Sequence, residues 1–283
     1  MNENALTDVS GTSLAKQGLK LWFNGHAFAE HILSGGQPLL WEKPTEFASQ
    51  YRSLQGILGA ERLSIPLMGF LDSWVQRNPH VLQIMTGKSR VRYAIKKCLT
   101  YDALRNDMKE LLSAVCSLVD AEIMLELPSN SALITWAHAL ANPDSTTENL
   151  SDIDIDSTSV YLADTVRQLK NVGLAGIVCT VSRPDIEAGA DFELYKPIAN
   201  VAENYRWSFA FRRIFNDSKT FNSGPYSCLG GVNGTNIATL NADFWSGKIG
   251  SIPEASCLYS ELPTFVEPEL VRGRIAEMRA GVR

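Results

Sequence analysis

The chain has 283 residues, of which 45% are hydrophobic and 20% charged, and its formal net charge is −5 at pH 7. That composition supplies a sizeable core and excludes a disordered or low-complexity chain. Adjacent basic residues occur only as pairs such as Lys96–Lys97 and Arg212–Arg213, so nucleic acid is not an expected partner. No segment reaches the ~20 apolar residues of a membrane-spanning helix, so no membrane partner is expected either.

The first 18 residues are polar, with neither a basic start nor an apolar stretch, and the expected location is the cytoplasm. Cys98, Cys116, Cys179, Cys228 and Cys257 form no CxxC pair and are expected as free buried thiols.

From residue 19 onward, apolar strand-like runs alternate with helical ones. Leu19 to Gly25 reads as a strand and Ala27 to Leu33 as a helix, with His26 at the junction. Thr45 to Ile57 follows as a helix, Leu63 to Gly69 as a strand that has to accommodate Pro66, and Phe70 to Val75 as a helix. Val91 to Cys98 is read as the third strand. Tyr101 to Leu118 is a helix with Leu104, Met108, Leu111, Leu112, Val115 and Leu118 on one face.

The segment Ala121 to Asn142 is the most informative. Ile123, Met124, Leu125 and Leu127 form a buried strand that stops at Pro128, and Ser129 caps a helix with Leu133, Ile134, Ala137 and Leu140 on its apolar face. An acidic loop from Asn142 to Asp156 is expected to be exposed and mobile, before a helix from Asp156 or Ser157 to Val172 that ends at Gly173. Ala175 to Val181 is a strand apolar enough to be covered on both faces. Tyr195 to Tyr205 reads as a helix, Trp207 to Arg212 as the sixth strand and Tyr226 to Val232 as the seventh. Thr239 to Trp245 reads as a short helix, Cys257 to Leu262 as the eighth strand and Pro268 to Met278 as the closing helix. The expected fold is α/β, a single (β/α)8 TIM barrel over residues 19–283 behind a polar leader of residues 1–18.

This alternation resembles the barrel family that contains uroporphyrinogen decarboxylase and the catalytic half of cobalamin-independent methionine synthase. The resemblance rests on LSIPLMGF at Leu63 to Phe70, TYDALRNDM at Thr100 to Met108, LELPSNSALITWAHAL, VYLADTVRQLKNVGLAGIV at Val160 to Val178 and PIANVAENYRW at Pro197 to Trp207. It implies a barrel enzyme of small-molecule metabolism, a lyase or a group transferase. Two family signatures are missing. No His-x-Cys pair occurs, His26 being followed by Ala27 and Phe28, and Pro38 to Tyr51 contains no arginine to grip substrate carboxylates. No organic cofactor is expected. Zinc stays open, although the ligands that the family uses for it are absent.

Barrel chemistry gathers at the C-terminal ends of the strands, which ranks the polar residues. Glu126, an acid inside an apolar strand, is the first acid/base candidate, and a salt bridge to Lys96 or Arg206 is its structural alternative. His26 is the second catalytic candidate, since imidazole titrates near neutral pH. Arg183 is positioned in sequence to hold a carboxylate or phosphate. Asn24, Lys96, Ser129, Asn130 and Cys179, near strand ends, complete the substrate-binding set, and Gly230, Gly231 and Gly234 mark a weaker phosphate-loop signal. The expected function is a lyase or decarboxylase on a small acidic substrate; methyl or other group transfer, or a non-catalytic binding barrel, is the alternative. The expected partner is a small molecule, and a homodimer is compatible with the sequence.

Overall fold

The structure, a computed structural model, describes residues 19–88, 90–145, 150–182, 192–214, 237–248, 252–253 and 255–280. In chain order these form β1 (Lys20–Asn24), α1 (His26–Ser34), α2 (Pro44–Leu58), β2 (Arg62–Pro66), α3 (Leu67–Arg77), α4 (Val81–Met85), α5 (Val91–Leu99), α6 (Asp102–Leu118), β3 (Glu122–Leu127), α7 (Asn130–Ala141), α8 (Asp152–Arg167) and β4 (Gly176–Ser182). A 3-10 turn at Phe192–Tyr195 leads into α9 (Lys196–Asn204), followed by β5 (Ser208–Ile214), β6 (Ile237–Leu240), α10 (Ala242–Trp245), β7 (Cys257–Glu261) and α11 (Pro268–Ala280).

The seven strands make one sheet in the order β5-β4-β3-β2-β1-β7-β6, and every pairing in it is parallel. That is the cyclic order of a barrel opened between β5 and β6. The sheet is curled, which side-chain reach demonstrates. Five strand spacings separate β5 from β7, ~24 Å along a flat sheet, yet the guanidinium of Arg212 on β5 meets the carboxylate of Glu261 on β7.

Among the described residues the architecture is therefore an open, curled half-barrel of seven strands, and the expected closed (β/α)8 barrel is overturned. Two local misreadings contribute. Val91 to Cys98 is a helix: Val91, Ala94, Ile95, Cys98 and Leu99 follow the i, i+3, i+4, i+7, i+8 spacing of a helical face, and the last four are buried. Thr239 to Trp245 is not one helix, because Thr239 and Leu240 belong to β6. Asn241 then caps α10 by accepting a hydrogen bond from the Phe244 N–H at 3.2 Å. The expected seventh strand, Tyr226 to Val232, lies outside the described residues, as do the leader of residues 1–18 and the glycines at 230, 231 and 234.

Side-chain alternation gives the sheet two different faces. The convex face carries Leu21, Phe23, Leu63, Ile65, Ile123, Leu125, Ile177, Phe209 and Leu258, all buried in the large core beneath the helices. The concave face is layered. At the N-terminal strand ends, Lys20 and Arg62 both bind Glu122. A middle layer of Trp22, Met124, Val178, Ala210, Ile237, Cys257 and Tyr259 forms a second, smaller apolar cluster. Asn24, Glu126, Arg212 and Glu261 occupy the C-terminal end.

The acidic segment after α7 also differs from expectation. Its second half is the first turn of α8, where Asp154 accepts from the N–H and the hydroxyl of Ser151 at 3.1 and 2.7 Å and pairs with Arg92 at 3.0 Å. Ile155 is buried, while Ile153 stays exposed. Two apolar residues of the expected loop are thus split by a helix, Ile155 facing the core and Ile153 the solvent.

Candidate active site

Glu126 ends its alternating set on the concave face of β3, one residue before the strand stops, and its side chain is only 7% exposed. Three donors from three other strands converge on it. Asn24 of β1 donates from Nδ2 at 3.0 Å, the Tyr259 hydroxyl of β7 donates at 3.2 Å, and Arg212 of β5 binds the other carboxylate oxygen through Nη1. The same guanidinium donates to the Tyr259 hydroxyl at 3.1 Å, and its Nη2 holds Glu261.

One buried cation thus serves two carboxylates, which decides the electrostatics. Burial pushes the Glu126 carboxyl above its ordinary value. Arg212 pulls it down and Glu261 pushes it further up, while the hydrogen bonds from Tyr259 and Asn24 pull it down; the balance stays raised because burial outweighs the pull of a cation that Glu126 shares with Glu261. For Arg212, burial acts against the charged form, but Tyr259, Glu126 and Glu261 outweigh it and keep the guanidinium protonated at any working pH.

His26 opens α1 directly after β1 and faces the same end of the sheet. Its Nε2 lies 3.3 Å from Glu30, one helical turn on, and its Nδ1 lies 3.1 Å from the Tyr51 hydroxyl, which reaches the Ser64 carbonyl at 3.3 Å. Trp41 lies against the imidazole, with ring centroids 4.8 Å apart. Gly69 makes room for that indole, since a Cβ there would stand 2.7 Å from the Trp41 ring. Burial opposes the Glu30 carboxylate, but the hydrogen bond and charge of His26 win and hold it below its ordinary value. Burial, and then the charges of Glu30 and Glu126, push the Tyr51 hydroxyl well above the usual phenol range.

Asn24 joins the two clusters. Its Nδ2 donates to Glu126 while its Oδ1 accepts from the His26 backbone N–H at 3.4 Å. Glu126, Asn24 and His26 are thereby brought together at one mouth. The other sequence candidates are not. Ser129 accepts from the Ala132 N–H at 3.2 Å as the cap of α7, and Asn130 donates to the Ile155 carbonyl at 3.0 Å and the Ser159 hydroxyl at 2.7 Å, which ties α7 to α8. Both are structural in those contacts. Lys96, expected at a strand end, sits exposed on helix α5 with its ammonium 5.4 Å from the centre of the Tyr161 ring. Cys179 points to the convex side, buried in the core beneath the helices, and burial pushes its thiol far above the ordinary range. Arg183 lies outside the described residues.

The chain matches no protein-family model, and no curated protein is similar enough to count as a relative. The residues themselves therefore carry the functional reading. Among the described residues, no three His, Cys, Asp or Glu side chains gather as a metal site would require. No described helix is long and apolar enough to cross a membrane.

The functional residues missed in the sequence are Arg212, Tyr259 and Glu261. A signal for the first existed: Ser208, Ala210 and Arg212 alternate with Phe209 and Phe211, so a small, small, charged set faces away from two aromatics. For Tyr259 and Glu261 the same alternation in CLYSE places both with Cys257 on one face.

Proposed function

We propose that this chain is a small-molecule enzyme of the cytoplasm, a lyase or decarboxylase acting on a small acidic substrate, with Glu126 as its proton carrier. The observation that carries the reading is a buried carboxyl with a raised proton affinity, held beside one cation at the C-terminal mouth of a curled parallel sheet. When a carbon–carbon bond to a carboxylate breaks, carbon dioxide leaves and the electron pair stays on the remaining carbon. Protonated Glu126 can deliver a proton to that carbon, and Arg212 can offset the negative charge that develops before the proton arrives. His26 with Glu30 and Tyr51 forms a second proton-handling group, linked to the first through Asn24. The free thiols Cys98, Cys116 and Cys179 suit a reducing compartment.

One observation favours a second, non-catalytic reading. Glu126 is bound by donors from β1, β5 and β7, a network that would also brace a curled sheet with no chemistry. The two readings separate in heavy water. Small 2-oxo, 3-oxo and hydroxy carboxylic acids are incubated with the protein and followed by proton NMR. The enzyme reading expects one acid to lose carbon dioxide with a deuteron taking its place on carbon, or to lose water and form an alkene, in either case ~10²-fold more slowly in Glu126→Gln. Equal turnover by the two proteins would remove Glu126 from the chemistry.

A further inference from the structure

Arg212 holds two carboxylates that are anchored very differently. Glu126 is buried and accepts from Asn24 and Tyr259 as well, so releasing it would leave a desolvated charge without its partners. Glu261 stands at the end of β7 with its side chain 57% exposed, and among the described residues Arg212 is its one side-chain partner. An exposed carboxylate on a guanidinium gains at most a small net free energy, because water solvates the released group almost as well. The Nη2 side of Arg212 is therefore occupied by a group that can leave.

We propose that Glu261 is a displaceable occupant of a carboxylate-binding position: the carboxylate of the acidic ligand takes its place on Nη2 of Arg212 while Glu126 keeps Nη1. The inference rests on the reading of this mouth as the site of a small acid, and adds which residue recognises that acid. Three observations support it. Arg212 is only 12% exposed, so a ligand carboxylate that is itself shielded from water on Nη2 gains more from the guanidinium than the exposed Glu261 does. The exchange replaces one carboxylate by another, so the charge balance around the buried guanidinium is preserved. A ligand seated there is next to Glu126, since both carboxylates bond to the two terminal nitrogens of one planar group. Recognition and proton transfer then share one guanidinium.

The probe is malonate, titrated by calorimetry at fixed ionic strength. Wild-type protein should bind it weakly and Glu261→Ala several-fold more tightly, since the competing internal carboxylate is gone. Glu261→Asp keeps the charge but withdraws it by one methylene, and should lie between the two. Arg212→Lys, which retains a cation beside Glu126 but loses the planar fork, should bind ~10-fold or more weakly. Should that variant fail to fold, the pair Glu126→Gln with Arg212→Met removes both buried charges together and should show no malonate binding. Equal affinity in wild type and Glu261→Ala overturns the inference. So does tightening in Glu261→Ala alone with none in Glu261→Asp, because that is a general field effect, and so does binding that survives loss of Arg212. Failure of the enzyme reading looks different: no acid would be turned over, or Glu126→Gln would turn over as wild type does, while the Glu261 variants still tightened malonate.

Discussion

Tyr259 on β7 donates its hydroxyl proton to Glu126 on β3 at 3.2 Å, across the two intervening strands β1 and β2. Only a strongly curled sheet allows that contact, and Arg212 closes the same ring from β5 by bonding both residues. Removing the donor in Tyr259→Phe should cost about 1–3 kcal/mol in chemical denaturation, the range for a buried bond to a charged group. The same change should move the Glu126-dependent limb of the pH–rate profile upward, since the hydrogen bond favours the ionised form.

Arg212→Met should be far more damaging than Glu126→Gln. It leaves Glu126 buried with no cation, a loss of about 3–5 kcal/mol, whereas Glu126→Gln leaves Arg212 bound to Glu261. Combining the two changes should recover much of the stability, and a double-mutant cycle read from urea denaturation checks the coupling.

Stability should vary with pH in opposite senses at the two ends of the concave face. Glu122 at the N-terminal end is buried against its charge, but the bonds and charges of Lys20 and Arg62 win and hold it below its ordinary value of 4.5. Its contribution is present above that value and is lost as pH falls through the lower folded one. Glu126 is raised, so its contribution is present below 4.5 and is lost as pH rises through the higher folded value. In melting curves between pH 3 and 8, Glu122→Gln should lose its deficit against wild type on acidification. Glu126→Gln should gain on wild type as pH rises.

Gly176 on the concave face of β4 is a packing necessity. A Cβ there would stand 2.3 Å from the Ser208 carbonyl oxygen and 2.5 Å from the Met124 methyl group, so β5 or Met124 would have to move. Gly176→Ala should cost about 1–3 kcal/mol. Because Arg212 lies on β5, it should also weaken malonate binding, which separates a sheet distortion from simple loss of stability.

The start of α8 can be checked by hydrogen exchange. With Ser151 and Asp154 closing the first turn, and Ile155 buried, amides from Ile155 onward should exchange slowly. Ser151→Ala should fray that turn and cost about 1 kcal/mol. Fast exchange through Ser159 in wild-type protein would contradict the assignment.

Local order alone determined much of this protein. The apolar run at Ile123 to Leu127, its stop at Pro128 and the Ser129 cap specified a strand leading directly into a helix, and period-2 alternation set Glu126 and Met124 on one face. These features depend on neighbours a few residues apart. The helical spacing of Val91 to Leu99 was equally present in the residues, but its β-branched and aromatic members obscured it until packing against α7 and α8 selected the helix. What only the tertiary structure decided is closure and partnership. The salt-bridge partner of Glu126 is Arg212, 86 residues away, rather than Lys96 or Arg206, and the second occupant of that cation is Glu261. Sheet curvature brings β3, β5 and β7 within reach of one side chain, and curvature is set by the pairing of all seven strands, which no local period encodes.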